Sequence, residues 1–332
     1  MYGTGNKKML NMLILEILRL YSDENHSLTQ QEIIKLLNQN YGMECDRRSV
    51  KSNVMSLKEM GYDISTDKGY KLLSREFDDS ELRILIDSVL FSKSISTKQA
   101  KGLIAKIRGL ASNYFNAKVS HVSNLPELNR TINKQAMYSL DTLNDAIAGK
   151  KKVQFVYNDI GTDLKLHPKR QEPYVVNPYQ IVANNGRFYL IGNYDKYDNI
   201  AHFRIDKMTD VRLLSEKVKP MTKVSGLERG LNLPKHMAEH IYMFSGESIP
   251  VKIRTTPDMI GQIVDWFGMD IRIIEKTIDN IVVKFDCNYS AMRYWALQYG
   301  PYVEVLSPNS LREQLKEDIS KMADKYSMEG LS

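Results

Sequence analysis

The chain has 332 residues, 42% of them hydrophobic and 26% charged, with a formal net charge of +6. That length is too great for one small core and the composition is globular, so two or three domains are expected. No run of about 18 apolar residues occurs, which excludes a spanning helix, and the two cysteines, Cys45 and Cys287, lie too far apart in unlike contexts to make a disulfide framework or a metal cluster.

The apolar stretch near the start is broken by Asn11, Glu16 and Arg19, which suits an amphipathic helix better than a signal peptide. A cytoplasmic protein with no cofactor and no membrane partner is expected. Charge is spread unevenly. Residues 1–75 carry 11 Lys+Arg against 9 Asp+Glu, whereas residues 150–219 carry 13 against 8. Anion binding confined to the N-terminus would leave the central excess unexplained.

Residues 7–21 place Leu10, Ile14, Ile17 and Leu18 at helical spacing. Thr29 and Glu32 form a capping box for a second helix. Asp46 caps a third, which Gly61 ends. On that third helix Val50, Val54 and Leu57 share one face, and Arg47, Arg48, Lys51, Ser52 and Met55 lie elsewhere, largely exposed. A helix of this kind reads DNA with its N-terminal residues near base edges. Arg47 and Arg48 suit guanine or phosphate, Asn53 adenine, and Ser49 and Ser52 phosphate. A hairpin turning at Asp67, Lys68 and Gly69 follows, with Lys68 and Lys71 near a backbone. A small helical domain with a solvated basic face has the same spacing. The full series of parts, however, resembles the winged helix-turn-helix of bacterial transcription regulators.

Residues 78–115 read as helices, starting at an Asp/Ser cap, and polar residues from Ser112 to Asn133 mark a linker. Such a connector suits a dimer interface, although helices packed within one chain give the same pattern. The central region has a helix ending near Gly149. Short strands follow at about 153–157, 164–166, 174–176, 179–183, 187–193, 202–205 and 211–214, with Asn184–Gly186 as a hairpin turn. Phe188 and Leu190 fall on one face of their strand, and Arg187, Tyr189 and Ile191 on the other.

The stretch from Asn177 to Leu214 resembles the WYL domain of bacterial regulators: Pro178, Gly186, Arg187, Tyr189, Leu190 and Arg204 match in place, and Phe188 stands where the family has Trp. The resemblance implies an Sm/SH3-like β-barrel that senses a negatively charged ligand, a nucleotide or short nucleic acid. Tyr189, Arg187 and Arg204 are the residues carried over, with His167, Lys169 and Arg170 from the adjoining basic segment. An alternative remains open, in which Arg187 and Arg204 form ion pairs with Asp195 or Asp206.

The remainder alternates strand, helix, strand, strand, helix, strand, helix, an α/β sandwich that resembles the C-terminal extension of WYL proteins. There Arg254 and Arg293 are placed toward the ligand of a neighbouring subunit. His236 to His240 fits the His-x-x-Glu-His pattern of inverted zinc peptidases. It sits in an interdomain segment, however, and no third ligand can be chosen from the sequence.

The expected organisation is α+β and multidomain: a winged helix over 1–75, a connector over 76–132, a WYL domain over 133–216, a linker over 217–245 and an extension over 246–332. The expected function is a homodimeric regulator that binds a double-stranded operator and alters that binding when an anionic effector occupies the WYL domain. The alternative is a nucleic-acid-binding accessory factor in phage defence or DNA repair. No nucleophile constellation or phosphate loop points to an enzyme.

Overall fold

In the computed structural model, which describes residues 7–118 and 130–327, the chain divides into two units, Met1–Ile132 and Asn133–Ser332. The first opens with three helices, α1 (Leu10–Tyr21), α2 (Gln30–Tyr41) and α3 (Arg47–Glu59). Local chemistry sets their ends. Thr29 Oγ1 accepts the Glu32 N–H at 3.2 Å, and the Glu32 carboxylate accepts the Thr29 N–H at 2.7 Å, so two orphan donors of α2 are satisfied. Asp46 caps α3 with a single bond, accepting the Ser49 N–H at 2.7 Å. Gly61, at φ +97°, makes the left-handed exit that a side chain resists.

Strands β1 (Ile64–Ser65) and β2 (Lys71–Leu72) then pair antiparallel, and Leu28 bridges to Tyr70 beside them. Ile14, Ile33, Leu37, Val50 and Val54 are fully buried between these elements. Each such side chain contributes about 1.5–3 kcal/mol of hydrophobic stabilisation.

The connector is made of α4 (Asp79–Phe91), α5 (Thr97–Arg108) and α6 (Asn113–Lys118). Leu82, Ile86, Ile104 and Phe115 form its small core. Arg130 closes the end of α4, donating to the carbonyls of Leu90 and Ser92 at 3.1 and 2.8 Å. A cation on those last carbonyls is the favourable arrangement for a helix C-terminus. The polar linker expected over 112–133 lies in part outside the described residues.

The second unit begins with α7 (Ala136–Ala148). A curled sheet follows: β3 (Lys151–Ile160), β4 (Leu166–Pro168), β5 (Tyr174–Asn184), β6 (Arg187–Tyr194), β7 (Ile200–Arg204) and β8 (Met208–Lys217). The order is β4-β3-β5-β6-β7, with β8 also on β3. Tyr174–Val176 and Tyr179–Ala183, expected as two strands, are one. A bulge between Pro178 and Gln180 absorbs the proline inside the strand. Gly192 faces Pro178 there, and a Cβ on it would stand 2.7 Å from the Asn177 carbonyl oxygen. Inside the curl, Leu143 of α7 packs on Val153, Phe155, Val176 and Leu190.

The opposite face of β5, β6 and β7 is also covered. Residues 221–243, which include α8 (Leu233–Glu239), lay Val224, Leu227, Leu233, Met237 and Met243 against Tyr179, Val182, Ile191 and Ile200. The chain then forms β9 (Ser248–Thr255), α9 (Ile260–Phe267), β10 (Arg272–Lys276), β11 (Ile281–Asn288), α10 (Tyr289–Gln298), β12 (Val303–Ser307) and α11 (Asn309–Ser327). The sheet order β10-β11-β9-β12 is that of a β-α-β-β-α-β unit, and Trp295 is fully buried in its core. Among the described residues no helix is long and apolar enough to cross a membrane.

Candidate functional site

Two groups of cations stand out, one in each unit. In the first unit the N-terminal turns of α3 carry them. Val50, Val54 and Leu57 face inward, and this leaves Arg47, Arg48, Lys51 and Ser52 exposed. Among the described residues, none of the three cations is held in an ion pair. Ser49 is half-buried, its N–H on the Asp46 cap. Asn53 is half-buried and its Nδ2 donates to the Ser49 carbonyl at 2.7 Å, so half of its amide is already committed. Lys68 is exposed at the hairpin turn, where its carbonyl accepts from Ser27 Oγ at 2.9 Å. Lys71 donates to the Glu24 carbonyl at 2.7 Å and is engaged.

In the second unit, the end of β6 and the end of β7 meet over one carboxylate. Asp206, only 4% exposed, lies in the turn after β7. Arg187 Nη1 reaches its Oδ2 at 2.6 Å, and Arg204 reaches both oxygens, Nε at 3.1 Å and Nη2 at 2.8 Å. Of the two partners the sequence left open for these arginines, Asp206 takes both. Burial works against the Arg204 charge, but the hydrogen bonds and charge of Asp206 outweigh it and hold that guanidinium above its ordinary pKa. Each arginine keeps N–H groups that Asp206 does not use, and both side chains are about a quarter exposed, at 22% and 27%.

Tyr189 stands directly opposite Arg204 in the β6–β7 register. Burial pushes its phenol up, as does the charge of Asp206, against the pull of Arg204 and Arg187. The hydroxyl has no hydrogen-bond partner among the described residues. Tyr157 supports the cluster from below. Its hydroxyl accepts the Arg204 N–H at 3.0 Å, and burial pushes its pKa to about 12, which keeps it neutral. A second carboxylate lies near: Asp159 holds Lys207 at 2.6 Å and Lys169 at 3.7 Å. Four cations thus share two carboxylates, which leaves an excess of positive charge with preset donors.

The remaining predicted residues are occupied elsewhere. Arg170 lies 3.5 Å over the Tyr174 ring and donates to Tyr194 Oη, the Glu172 carbonyl and the Pro173 carbonyl at 2.6–2.8 Å. All three of its nitrogens tie the loop before β5 to the aromatic ladder, a cation–π arrangement that serves the fold. His167 is exposed and pairs with Asp163 at 2.9 Å. Arg254 pairs with Glu304 at 2.8 Å, and Arg293 grips Asp318 through two 2.6 Å bonds.

The His-x-x-Glu-His stretch lies on α8 and just beyond it, and it meets a third histidine from β7. His202 Nε2 and His236 Nε2 are 2.7 Å apart, and the His236 and His240 rings stack at 4.1 Å. His240 Nδ1 donates to the His236 carbonyl at 3.0 Å. Among the described residues no group of three His, Cys, Asp or Glu side chains is placed to hold a metal ion. Burial and the neighbouring imidazoles pull the pKa of His202 down to about 3, and burial beside His240 pulls that of His236 to about 4, so those two rings are neutral at pH 7. No sequence spacing marks His202 as a member, because 34 residues separate it from His236.

Family models match two stretches of the chain, the WYL domain over residues 139–213 and the WCX domain over residues 247–323. No curated protein matches. Among solved structures, the chain is similar to the proteasome accessory factor B/C (PafBC) of Arthrobacter aurescens at 13% identity and a TM-score of 0.30. That alignment covers 98% of this chain and 50% of the other, so this chain spans about half of its length. A CRISPR Cas-related protein aligns at 16% identity and a TM-score of 0.41, over 77% of this chain and 76% of that one. With Arg187, Tyr189 and Arg204 inside the first matched stretch, the chain is a WYL-domain protein in which a WCX domain follows the WYL domain.

Proposed function

We propose that this protein is a transcription regulator that binds DNA through its first unit and senses an anionic ligand through its WYL domain. In this reading α1–α3 and the β1–β2 hairpin are a winged helix-turn-helix, and the curled sheet is an Sm-like barrel. It is a cytoplasmic homodimer and not an enzyme. The observation that carries the reading is that two cation groups of different build sit in separate units. The α3 group is exposed and, among the described residues, free of ion pairs, as suits a phosphate backbone and base edges. The Arg187–Arg204–Tyr189 group is half-buried, with an aromatic ring beside the guanidinium donors, as suits a phosphate next to a stackable base. For the ligand to regulate, it must bind the DNA-competent and DNA-incompetent states unequally.

The test starts from genomic fragments selected on the wild-type protein, with affinity read by fluorescence anisotropy. Replacing both Arg47 and Arg48 with Ala is expected to weaken binding about thirtyfold, an effect of about 2 kcal/mol. Arg204→Gln together with Tyr189→Phe is expected to leave that affinity unchanged while losing the response to a single-stranded oligonucleotide of about ten nucleotides. Full DNA binding by the arginine pair variant would refute the operator reading. A response that survives the second pair of changes would instead refute the Arg204–Tyr189 group as the sensor.

A further inference from the structure

Among the described residues, the exposed face of α3 carries one apolar side chain. Arg47, Arg48, Lys51, Ser52, Lys58 and Glu59 are polar, and Met55 lies among them at 46% exposure, outside the core of its domain. The packing of the helix does not call for it. Val50, Val54 and Leu57 supply the inward stripe, and Ser49, Asn53 and Ser56 form a half-buried flank.

At about 100° of turn per residue, the exposed side chains fan over about 140°, from Arg47 at one edge to Ser52 at the other. Arg48, Lys51 and Met55 stand in the middle of that fan, at i, i+3 and i+7, and so make one row along the helix. Arg47 and Lys58 fall toward one edge, Ser52 and Glu59 toward the other. In a helix laid in a groove, the middle row meets base edges and the flanks meet the phosphate walls. A carboxylate is repelled by phosphate, so Glu59 marks where close contact ends. Met55 is then the last member of the row inside the groove.

Each base edge asks for a different side chain. A guanidinium matches O6 and N7 of guanine with two parallel bonds. A thioether has no donor and is at best a weak acceptor. The apolar group that the major groove does present is the C5 methyl of thymine. Arg48 and Met55 are seven residues apart, which is about 10 Å along the helix, or about three base-pair steps. Given that α3 enters the major groove, as in the function proposed above, we propose that Met55 selects thymine through its C5 methyl, about three base pairs from a guanine read by Arg48. Lys51, between the two, donates to whichever acceptor lies at the intervening step. The half-site therefore carries a guanine and a thymine at a fixed spacing.

The probe is a duplex selected from genomic fragments on the full wild-type chain, with affinity read by fluorescence anisotropy. Each thymine in turn is replaced by deoxyuridine, which removes the C5 methyl and keeps the base pair. At one thymine of the half-site, wild type is expected to lose about fourfold in affinity, the worth of one buried carbon. Met55→Ala is expected to lose about as much on the unmodified duplex and nothing further at that deoxyuridine, so the two changes are not additive. At a guanine about three base pairs away, 7-deazaguanine lacks the N7 acceptor. It is expected to weaken wild type at least about fivefold and to leave Arg48→Ala unaffected. Met55 is exposed, so its truncation spares the fold, which circular dichroism checks. Binding indifferent to every deoxyuridine, a Met55→Ala chain that still loses affinity at the sensitive thymine, or no sensitive guanine at that spacing would overturn the assignment and leave the operator reading standing. A wild type that selects no duplex at all would refute that reading and the assignment with it.

Discussion

Replacing Asp206 with Asn is expected to lower the stability of the 133–332 unit by about 3 kcal/mol. Asp206 is 4% exposed and is the anion for two guanidinium groups. Removing one partner of a buried pair leaves the other charge uncompensated, at a cost of about 3–5 kcal/mol. The lower end applies because both arginine side chains reach water, at 22% and 27% exposure, and solvent recovers part of the loss. The substitution also strips the charge that keeps Arg187 and Arg204 in their fork beside Tyr189. Both tryptophans, Trp266 and Trp295, lie in this unit, so urea unfolding followed by tryptophan fluorescence reports on it alone. An unchanged midpoint would place this ion pair with ordinary surface pairs and remove the preset geometry on which the proposed ligand site rests.

Acidification is expected to weaken the same unit through the histidine cluster. His202 and His236 titrate near 3 and 4 in the folded chain, against about 6.5 when unfolded, because burial and the adjacent imidazoles oppose their charge. Between those values the unfolded chain binds more protons than the folded one. Stability therefore rises with pH in this window and falls as pH drops below about 6.5. From about pH 7.5 to about pH 5 the two groups together take away on the order of 3 kcal/mol. Glu239, Glu247, Asp286 and Lys235 line the cleft of 560 Å³ beside His236 and His240. Urea titrations at several pH values measure the slope, and His236→Gln is expected to flatten it. A slope that the variant leaves unchanged would remove the histidine cluster as its source.

Much of this molecule follows from local sequence. The caps at Thr29 and Asp46, the turns at Gly61 and Asn184–Gly186, and the inward stripe of α3 need only neighbours a few residues apart to form. The division of faces in β6 is equally local: Leu190 enters the inner core and Ile191 the outer one. What lies over the outer face is not local. Residues 221–243 have apolar residues at Val224, Leu227, Leu231, Leu233, Met237 and Met243 with no steady period, so they read as a helical linker. They pack as a layer because β5–β7 supplies the surface. The same holds for the site. Arg187 and Arg204 were readable as cations at strand ends, and their shared hold on Asp206 depends on how β6 and β7 align. Arg170 looked like part of a basic run, yet its place is fixed by Tyr174 and Tyr194. The third histidine is set by where α8 lands on β7.

The layer over β5–β7 bears on cooperativity. Within it Ile241 enters the core of the WCX domain, while Met243, two residues on, enters the outer core of the WYL sheet. Further back, the Lys219 N–H is held by Asn177 Oδ1 at 2.8 Å and the Ser225 N–H by the Asp198 carbonyl at 2.7 Å. The two matched domains are thus stitched through one short stretch into two hydrophobic cores at once. Loosening either core frees side chains that the other needs, so the two domains are expected to melt in a single calorimetric transition, and a fragment ending at the WYL boundary would bare Val182 and Ile191 to water.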